Sequence, residues 1–343
     1  MPAVTEDDDR SDRLFEMLDG FAISQIAAAA AQLGAWDHLA AGPLTADQLA
    51  GLTGTQVEPL RRLVHAWCLL GLLTPADDRG RYRAAPLLEL LGTGAPGSLT
   101  GMARLYGQEY YRAWGELLHT VRTGESGFER FHRTSLWKHL AGNDGAAQAF
   151  AHAMTFNVMR HIPRILESFD FSTAKLVVDV GAANGELLAA ILARHPALRG
   201  IAFDLPRVAD RSGTVFEDRG LAQRCEVVTG DFFETVPRGG DLYVLKAVLH
   251  NWDDERAVRI LENCRAAMAP GGRLLVIESP RSDASDDLGL VLKDLWMMVL
   301  FGGRDRTTPE YVSLIERAGF AHAEVVPGPG SPALIQATNI LLP

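Results

Sequence analysis

The stretch Leu176–Glu186, which reads LVVDVGAANGE, decides the fold. An apolar run contains Asp179, ends at Gly181 and is followed by a second glycine, Gly185. A buried strand that turns into a helix through a glycine loop is typical of nucleotide-binding α/β proteins. A phosphate loop, a dinucleotide site and a site for a sulfonium cofactor can all begin in this way. A glycine turn with only a structural role is the simplest alternative.

The spacing after Gly181 argues against two of these ligand sites. A phosphate loop requires Gly-Lys-Ser/Thr, whereas Glu186 and Leu187 follow Gly185. The dinucleotide fingerprint G-x-G-x-x-G requires a glycine where Ala183 stands. A sulfonium cofactor is the remaining nucleotide-like candidate.

Acidic residues at the ends of the next two apolar runs favour an adenosine site. Asp204 ends GIAFD, where a carboxylate can accept both hydroxyls of a ribose. Asp231 and Phe232 end VVTGDFF and offer a carboxylate for an exocyclic amine and a ring that stacks on a purine. The structural alternatives are a helix cap for Asp204 and ordinary core packing for Phe232. Three acidic strand ends at one edge of a sheet favour the adenosine site.

Two patterns of secondary structure divide the chain. Up to about residue 85 the sequence predicts helices and a small hairpin with its tip at Asp78–Gly80, the elements of a winged-helix module, with Thr45 and Gln48 at capping-box spacing. Aromatic-rich helices follow. After Thr173, apolar runs alternate with helices, which indicates a doubly wound, mostly parallel sheet with helices on both faces.

Composition excludes several classes of protein. The 343 residues carry a net charge of −10, which argues against a general nucleic-acid partner. The three cysteines form no CxxC pair and are expected to be reduced. The first dozen residues are acidic and predict a frayed tail rather than a targeting segment, and the alanine run at 27–31 is too short to span a bilayer. We therefore expect a cytoplasmic protein with no membrane partner.

A metabolite-sensing regulator that binds DNA through the winged helix is an alternative to an enzyme. The candidate recognition helix is mainly apolar, with Leu60, Leu63 and Trp67, and its only basic side chains are Arg61, Arg62 and His65. Such a helix favours internal packing or dimerisation over DNA binding. We expect a homodimer formed through the N-terminal domain.

Five motifs together resemble the S-adenosylmethionine-dependent O-methyltransferases of plant phenolic and bacterial natural-product metabolism. They are VVDVGAANGE, FDLP, GDFF, LKAVLHNWDDE and GGRDRTTPEYVSLIERAGF. The resemblance covers nearly the whole chain. It implies a winged-helix dimerisation domain over residues 1–100, a helical linker over 101–168 that contributes to the acceptor pocket, and a Rossmann-like catalytic domain over 169–343. Ala183 departs from the family pattern, in which many relatives have glycine.

The resemblance also implies the residues that bind S-adenosylmethionine. Gly181 would approach its methionine portion, Asp204 would hold the ribose, and Asp231, Phe232 and Lys246 would lie at or near the adenine. The full set of expected cofactor-binding residues is Asp179, Gly181, Asp204, Leu205, Gly230, Asp231, Phe232 and Lys246.

His250 is the expected general base. It lies four residues after Lys246, so on a helix or turn both would face one cleft. An imidazole can remove the proton of a phenol at neutral pH, and the resemblance assigns that role to His250. The base needs an orienting carboxylate, for which Glu278 and Asp305 match acidic positions of the family. Because Asp305 is shorter than the usual glutamate, we expect a longer or water-bridged contact.

The acceptor pocket is expected to be apolar and to suit a flat aromatic molecule. The candidate lining residues are Phe150, Met154, Asn157, Asn251, Trp296, Met297 and Leu300. No metal is expected. Three other reactions remain open on the same scaffold: N-methylation, C-methylation, and chemistry that uses the bound sulfonium without methyl transfer, such as hydroxylation, decarboxylation or a pericyclic step.

Overall fold

The computed structural model describes residues 6–93, 97–281, 287–326 and 332–339. The chain forms two compact units: Met1–Tyr111 with Asp144–Phe156, and Arg112–Asn143 with Asn157–Pro343. We refer to them as the N-terminal unit and the catalytic unit. The three-part division at residues 100 and 168 remains a prediction.

The N-terminal unit is helical with one small sheet. Its helices are α1 (Glu6–Gln32), α2 (Ala35–Leu39), α3 (Ala46–Thr53), α4 (Val57–Leu69), α5 (Pro86–Glu89) and α6 (Thr100–Gly107), and its strands are β1 (Leu44–Thr45), β2 (Leu73–Pro75) and β3 (Arg81–Ala84). Helix α7 (Glu109–Trp114) begins in this unit and ends in the catalytic unit.

Local sequence signals account for the winged-helix part of this unit. The side chain of Thr45 accepts the Gln48 N–H while the Gln48 side chain accepts the Thr45 N–H, so the predicted capping box opens α3. Strands β2 and β3 pair antiparallel around the predicted turn. Trp67 of α4 is fully buried, and its indole N–H donates to the carbonyl of Ile26.

Helix α1 exposes much of its apolar surface. Phe15, Leu18 and Phe21 are each more than half exposed. By length and composition alone, the segment Arg10–Gln32 could cross a membrane. In the most apolar part of this segment, 17% of the residues are buried inside the protein. The prediction of a frayed tail is wrong for residues 6–12, which are helical, because helix formation is cooperative and the long helix that follows extends through them; residues 1–5 lie outside the described residues.

The catalytic unit contains the large sheet. Its helices are α8 (Leu117–Thr123), α9 (Gly127–His132), α10 (Leu136–Gly142), α12 (Ile162–Ser168), α13 (Glu186–Arg194), α14 (Pro206–Asp218), α15 (Asp254–Ala267), α16 (Leu288–Phe301) and α17 (Thr308–Arg317). Its strands are β4 (Leu176–Val180), β5 (Arg199–Asp204), β6 (Cys225–Thr229), β7 (Leu242–Lys246), β8 (Arg273–Glu278), β9 (Ala321–Val325) and β10 (Ala333–Thr338). Helix α11 (Asp144–Met159) passes from the N-terminal unit into this one.

The predicted doubly wound sheet is present in the described residues. The strand order is β6-β5-β4-β7-β8-β10-β9; strands β4 to β8 are parallel, and β10 is antiparallel to both of its neighbours, β8 and β9. The chain reverses direction across the sheet between β4 and β7, where ligands of such folds bind. Two apolar clusters, one on each face, hold the sheet between its helices.

Candidate active site

The glycine loop joins β4 to α13 with a tight backbone. Gly181 has φ of 77°, and a Cβ at this position would come within 2.8 Å of Val248 Cγ2. Ala183 has φ of 51°, a conformation that costs a non-glycine residue about 1 kcal/mol. The loop therefore adopts a left-handed backbone conformation at Ala183, the position where the resemblance leads us to expect glycine.

Asp204 is bound to that loop through its carboxylate. Oδ2 accepts the Ala183 N–H at 2.8 Å and Oδ1 accepts the Leu205 N–H at 2.7 Å. Burial raises the pKa of Asp204 to about 6, against the opposing effect of these two hydrogen bonds. A carboxylate oxygen can accept two hydrogen bonds, so among the described residues each oxygen of Asp204 has one acceptor site that the bonds to Ala183 and Leu205 do not use.

The predicted adenine residues lie at the end of β6. Asp231 is exposed and its Oδ1 accepts the Phe233 N–H at 2.8 Å. The ring of Phe232 packs edge-on to Trp252 with centroids 6.0 Å apart, so it is also part of the core. At Gly230, a Cβ would come within 2.8 Å of Phe203, and only glycine fits without a shift.

Asp179 and Lys246 lie on adjacent strands at the centre of the sheet. Burial, reinforced by the charge of Asp204, raises the pKa of Asp179 to about 7. Burial lowers the pKa of Lys246 to about 8, although the charges of Glu278 and Asp179 oppose this shift. Lys246 is therefore the basic group between two acidic ones, Asp179 on one side and Glu278 on the other, and Asp204 is a second acidic group beside Asp179.

His250 lies in a 3₁₀ turn, Leu249–Asn251, just after β7. Oε1 of Glu278, at the end of β8, accepts the Leu249 N–H at 2.9 Å. The guanidinium of Arg306 is completely buried and donates to the carbonyls of Leu249 and Trp252, one on each side of the histidine. These bonds fix the backbone that carries the imidazole.

Two carboxylates approach one nitrogen of His250. Nδ1 lies 3.2 Å from Oε2 of Glu278 and 3.3 Å from Oδ1 of Asp305. These are ion-pair distances, but neither contact has the alignment of a hydrogen bond, so Nδ1 has no hydrogen-bond partner among the residues that the structure describes. The sequence prediction that these three residues meet agrees with these distances.

Asp305 is itself held by helix α16. Lys293 Nζ donates to Oδ1 at 2.9 Å and to Oδ2 at 2.7 Å, and Oδ1 of Asp294 accepts the Asp305 N–H at 2.8 Å. Burial opposes ionisation of Asp305, but its contacts with His250 and Lys293 outweigh burial and hold its pKa below the usual value. Sequence reasoning missed Lys293, because no motif distinguishes it on a helix that is mainly apolar.

The candidate acceptor residues are only partly brought together. Trp296, Met297 and Leu300 lie on α16, which packs against the histidine turn. Leu300 is almost fully buried, whereas the ring of Trp296 meets that of Trp114 edge-on at 4.7 Å. The Asn251 amide donates to the carbonyl of Ala247 at 3.3 Å.

Three further candidates lie on α11, where the chain changes units. Phe150 and Met154 belong to the N-terminal unit, and Asn157 belongs to the catalytic unit. The role of this helix in an acceptor pocket remains a prediction.

Comparison with known proteins identifies the family. The sequence profile of the O-methyltransferase domain matches residues 114–321, and that of the O-methyltransferase dimerisation domain matches residues 15–93. The chain belongs to the S-adenosylmethionine-dependent O-methyltransferase family. It is 37% identical over 327 residues to the phenazine O-methyltransferase of Lysobacter antibioticus, covering 95% of this chain and 96% of that protein.

Solved structures agree with this assignment. The mitomycin 7-O-methyltransferase MmcR superposes with a TM-score of 0.90 at 34% identity, covering 96% of this chain and 98% of that one. The neocarzinostatin O-methyltransferase NcsB1, solved with S-adenosylmethionine and 2-hydroxy-5-methyl naphthoic acid, superposes with a TM-score of 0.80 at 32% identity, covering 92% and 95%. The expected fold class and cofactor are confirmed.

Not every relative is an O-methyltransferase. The 8-amino-8-demethylriboflavin N,N-dimethyltransferase of Streptomyces davaonensis is 35% identical over 326 residues, which is 93% of each chain. The aclacinomycin 10-hydroxylase of Streptomyces purpurascens is 37% identical over 299 residues, covering 86% of this chain and 80% of that protein. Family membership therefore identifies the cofactor, but it does not identify which atom of the acceptor reacts.

The residues of the site fit S-adenosylmethionine. The free acceptor capacity of Asp204 suits two neighbouring hydroxyls, and the exposed side chains of Leu205 and Asp231 lie at the same edge of the sheet. When bound, the cofactor supplies an electrophilic methyl group. We found no group of three or more metal-ligating side chains among the described residues.

Proposed function

We propose that this enzyme methylates a hydroxyl, in particular a phenolic hydroxyl, of an aromatic natural product, with His250 as the general base. The proposal rests on one observation: a buried histidine with Glu278 and Asp305 within 3.3 Å of its Nδ1. An imidazole oriented through one nitrogen keeps the other for the acceptor. This geometry supports removal of a proton from the acceptor oxygen.

The role of each residue in the site is proposed from the chemistry of its side chain. Asp204, Asp231 and the loop at Gly181 bind the adenosyl part of the cofactor, with Asp179, Leu205, Gly230, Phe232 and Lys246 as their neighbours. Nε2 of His250 takes the proton of the acceptor hydroxyl. Glu278 and Asp305 stabilise the resulting imidazolium through Nδ1. Alignment of the acceptor oxygen supplies much of the remaining rate enhancement.

The acceptor class is proposed from the walls of the site and from the relatives. Helix α16, which packs against the histidine turn, carries an aromatic and a thioether side chain, Trp296 and Met297. Such side chains suit a flat, apolar ring. The named acceptor of NcsB1, 2-hydroxy-5-methyl naphthoic acid, has this character.

A product assay tests the proposal. Purified enzyme is incubated with methyl-labelled S-adenosylmethionine and a panel of phenols, anilines and hydroxy-aromatic acids. Oxygen-linked label, with one S-adenosylhomocysteine formed per product, is the expected result. Label on nitrogen or carbon would replace the O-methyl assignment. A modified acceptor formed without S-adenosylhomocysteine would contradict methyl transfer and favour chemistry of the kind named for the hydroxylase relative.

We also propose a cytoplasmic homodimer. The match to the dimerisation domain includes Phe15, Leu18 and Phe21, whose exposed side chains form the apolar surface of α1. A second copy of the chain would bury this surface. Dimerisation thus explains why α1 has an exposed apolar surface, and no membrane is needed to explain it.

Replacing two of these side chains should therefore separate the subunits. The double variant Phe15→Glu/Leu18→Glu is expected to elute as a monomer, because two carboxylates oppose burial of the helix. Size-exclusion chromatography with light scattering measures the mass. Val325→Glu, at a half-exposed site on the edge strand β9 of the catalytic unit, is the control. A double variant that remains dimeric at micromolar concentration would contradict the assignment of α1 to the interface.

A further inference from the structure

Lys293 is one of four lysines in the chain, with Lys138, Lys175 and Lys246. It lies on α16, and its side chain is 31% exposed. Its ammonium group contacts both carboxylate oxygens of Asp305 and also donates to the carbonyl of Ser279 at 3.3 Å. A lysine is thus built into the group of residues around His250, although none of the motifs contains it.

The two carboxylates create an electrostatic problem for a general base. Glu278 and Asp305 both lie within 3.3 Å of Nδ1, and each negative charge favours the imidazolium form of His250. A histidine that is already protonated cannot accept a proton from the acceptor. The orienting carboxylates can therefore suppress the free base.

Lys293 balances one of these charges at short range. Its positive charge lies 2.7 Å from Oδ2 of Asp305, whereas Oδ1 faces His250. Helix α16 also fixes the backbone of Asp305, because Asp294 accepts its N–H. The shorter aspartate is thus held on both its backbone and its side chain by one helix.

We propose that Lys293 is a positioning residue that holds the Asp305 carboxylate beside Nδ1 of His250 and offsets the negative charge of that carboxylate at the imidazole. This inference rests on the proposed function, in which His250 is the base. Lys293 acts through Asp305 and has no direct role in the chemistry.

Other charged groups around the histidine stay in place when Lys293 is substituted, although the charge of Lys293 also contributes to the lowered pKa of Lys246 and of His161. They are Glu278 on β8, Lys246 at the end of β7, Asp294 on α16 and Arg306 before α17, with the phenol of Tyr311 on α17 close to both carboxylates. The difference between two Lys293 variants therefore isolates the charge at that position.

The test compares kcat as a function of pH in four proteins: wild type, Lys293→Met, Lys293→Arg and Lys175→Met. In Lys293→Met the acid limb of the profile is expected to shift to higher pH by about one unit. The reason is that the negative charge of Asp305, no longer offset by Lys293, stabilises the imidazolium. Lys293→Arg keeps the charge and is expected to retain the wild-type limb. Lys175→Met removes an exposed lysine that precedes β4, at the opposite edge of the sheet, and is expected to change nothing.

A second measurement does not depend on turnover. Two-dimensional NMR of ¹³C-labelled histidine in the cofactor-free proteins follows the titration of each imidazole, with His250→Gln identifying the resonance. The midpoint for His250 is expected to rise by a similar amount in Lys293→Met. A purely structural role would lower kcat at every pH and leave this midpoint in place.

Two results would overturn the inference: an unshifted limb and midpoint in Lys293→Met, or an equal shift in Lys293→Arg. Failure of the proposed function is separate, because it appears as full activity in a variant that lacks the His250 imidazole. The two failures therefore involve different residues and different measurements.

Discussion

His250→Ala is expected to lower kcat by about 10²- to 10⁴-fold, the usual contribution of a general base. The imidazole is the only group proposed to take the acceptor proton, and a phenol with a pKa of about 10 is rarely ionised at pH 7. Cofactor affinity should stay within a few-fold of wild type, because His250 lies outside the proposed adenosyl site. Steady-state kinetics and calorimetry measure the two quantities.

The pH dependence makes this prediction sharper. In His250→Ala the rate should rise about tenfold per pH unit towards pH 10, because ionisation of the acceptor replaces the missing base. His195→Ala is the control, since this half-buried histidine follows α13 at the opposite edge of the sheet. A variant with the wild-type kcat at pH 7 would show that another group removes the proton.

Asp204→Ala is expected to weaken the binding of S-adenosylmethionine by about 10²-fold. The substitution removes the acceptor for the ribose hydroxyls. It also leaves the N–H groups of Ala183 and Leu205 without the carboxylate that holds the glycine loop. Isothermal calorimetry with S-adenosylhomocysteine measures the loss. Once the cofactor is saturating, kcat should recover to within a few-fold of wild type.

The raised pKa of Asp204 predicts the direction of a pH effect on binding. Its folded-state pKa is about 6, so in the free enzyme it is protonated below pH 6 and ionised above it. The ionised form accepts hydrogen bonds from the ribose, so affinity should fall about tenfold per unit as pH decreases below 6. In Asp204→Ala this dependence should be absent, because the carboxylate that titrates near pH 6 has been removed.

Asp218→Ala is the matched control for this experiment. It removes a carboxylate from the exposed end of α14, outside the proposed site, and should bind cofactor like wild type. Wild-type affinity in Asp204→Ala would refute the ribose assignment. Equal losses in both variants would indicate a general electrostatic effect of the acidic chain.

Stability provides an independent check on Asp204. Because burial raises its pKa in the folded protein, its contribution to stability is fully present below the unfolded-state value near 4 and is lost as pH rises through about 6. Thermal denaturation of the cofactor-free protein should therefore show a smaller decrease between pH 5 and pH 7 in Asp204→Ala than in wild type.

Local sequence determined the elements of the fold and the order of the strand ends. The capping box at Thr45 and Gln48 and the alternation of strands and helices are short-range signals. Such signals, which are the spacing of apolar residues and the residue types found in turns, can be read from a few consecutive residues. The same reasoning explains why Asp204, Asp231 and the loop at Gly181 could be assigned to one edge of the sheet in advance.

The sequence was less informative where charge and helix propensity compete. The acidic first dozen residues suggested a frayed tail, yet residues 6–12 belong to α1, because helix formation is cooperative and extends from the helix that follows. Ala183 indicated a departure from the family pattern, but its left-handed backbone and its bond to Asp204 depend on a strand that lies further along the chain.

By itself the sequence determined a winged-helix module, a doubly wound sheet and the residue types of an adenosyl site, because local patterns and the direction of parallel strands fix them. Only the tertiary structure decided how charge is arranged around His250. Glu278, Lys293 and Asp305 come from a strand, a helix and a loop, and they meet because packing brings these elements together. Coulomb interactions depend on distances in space, so no spacing along the chain could reveal that Lys293 faces Asp305.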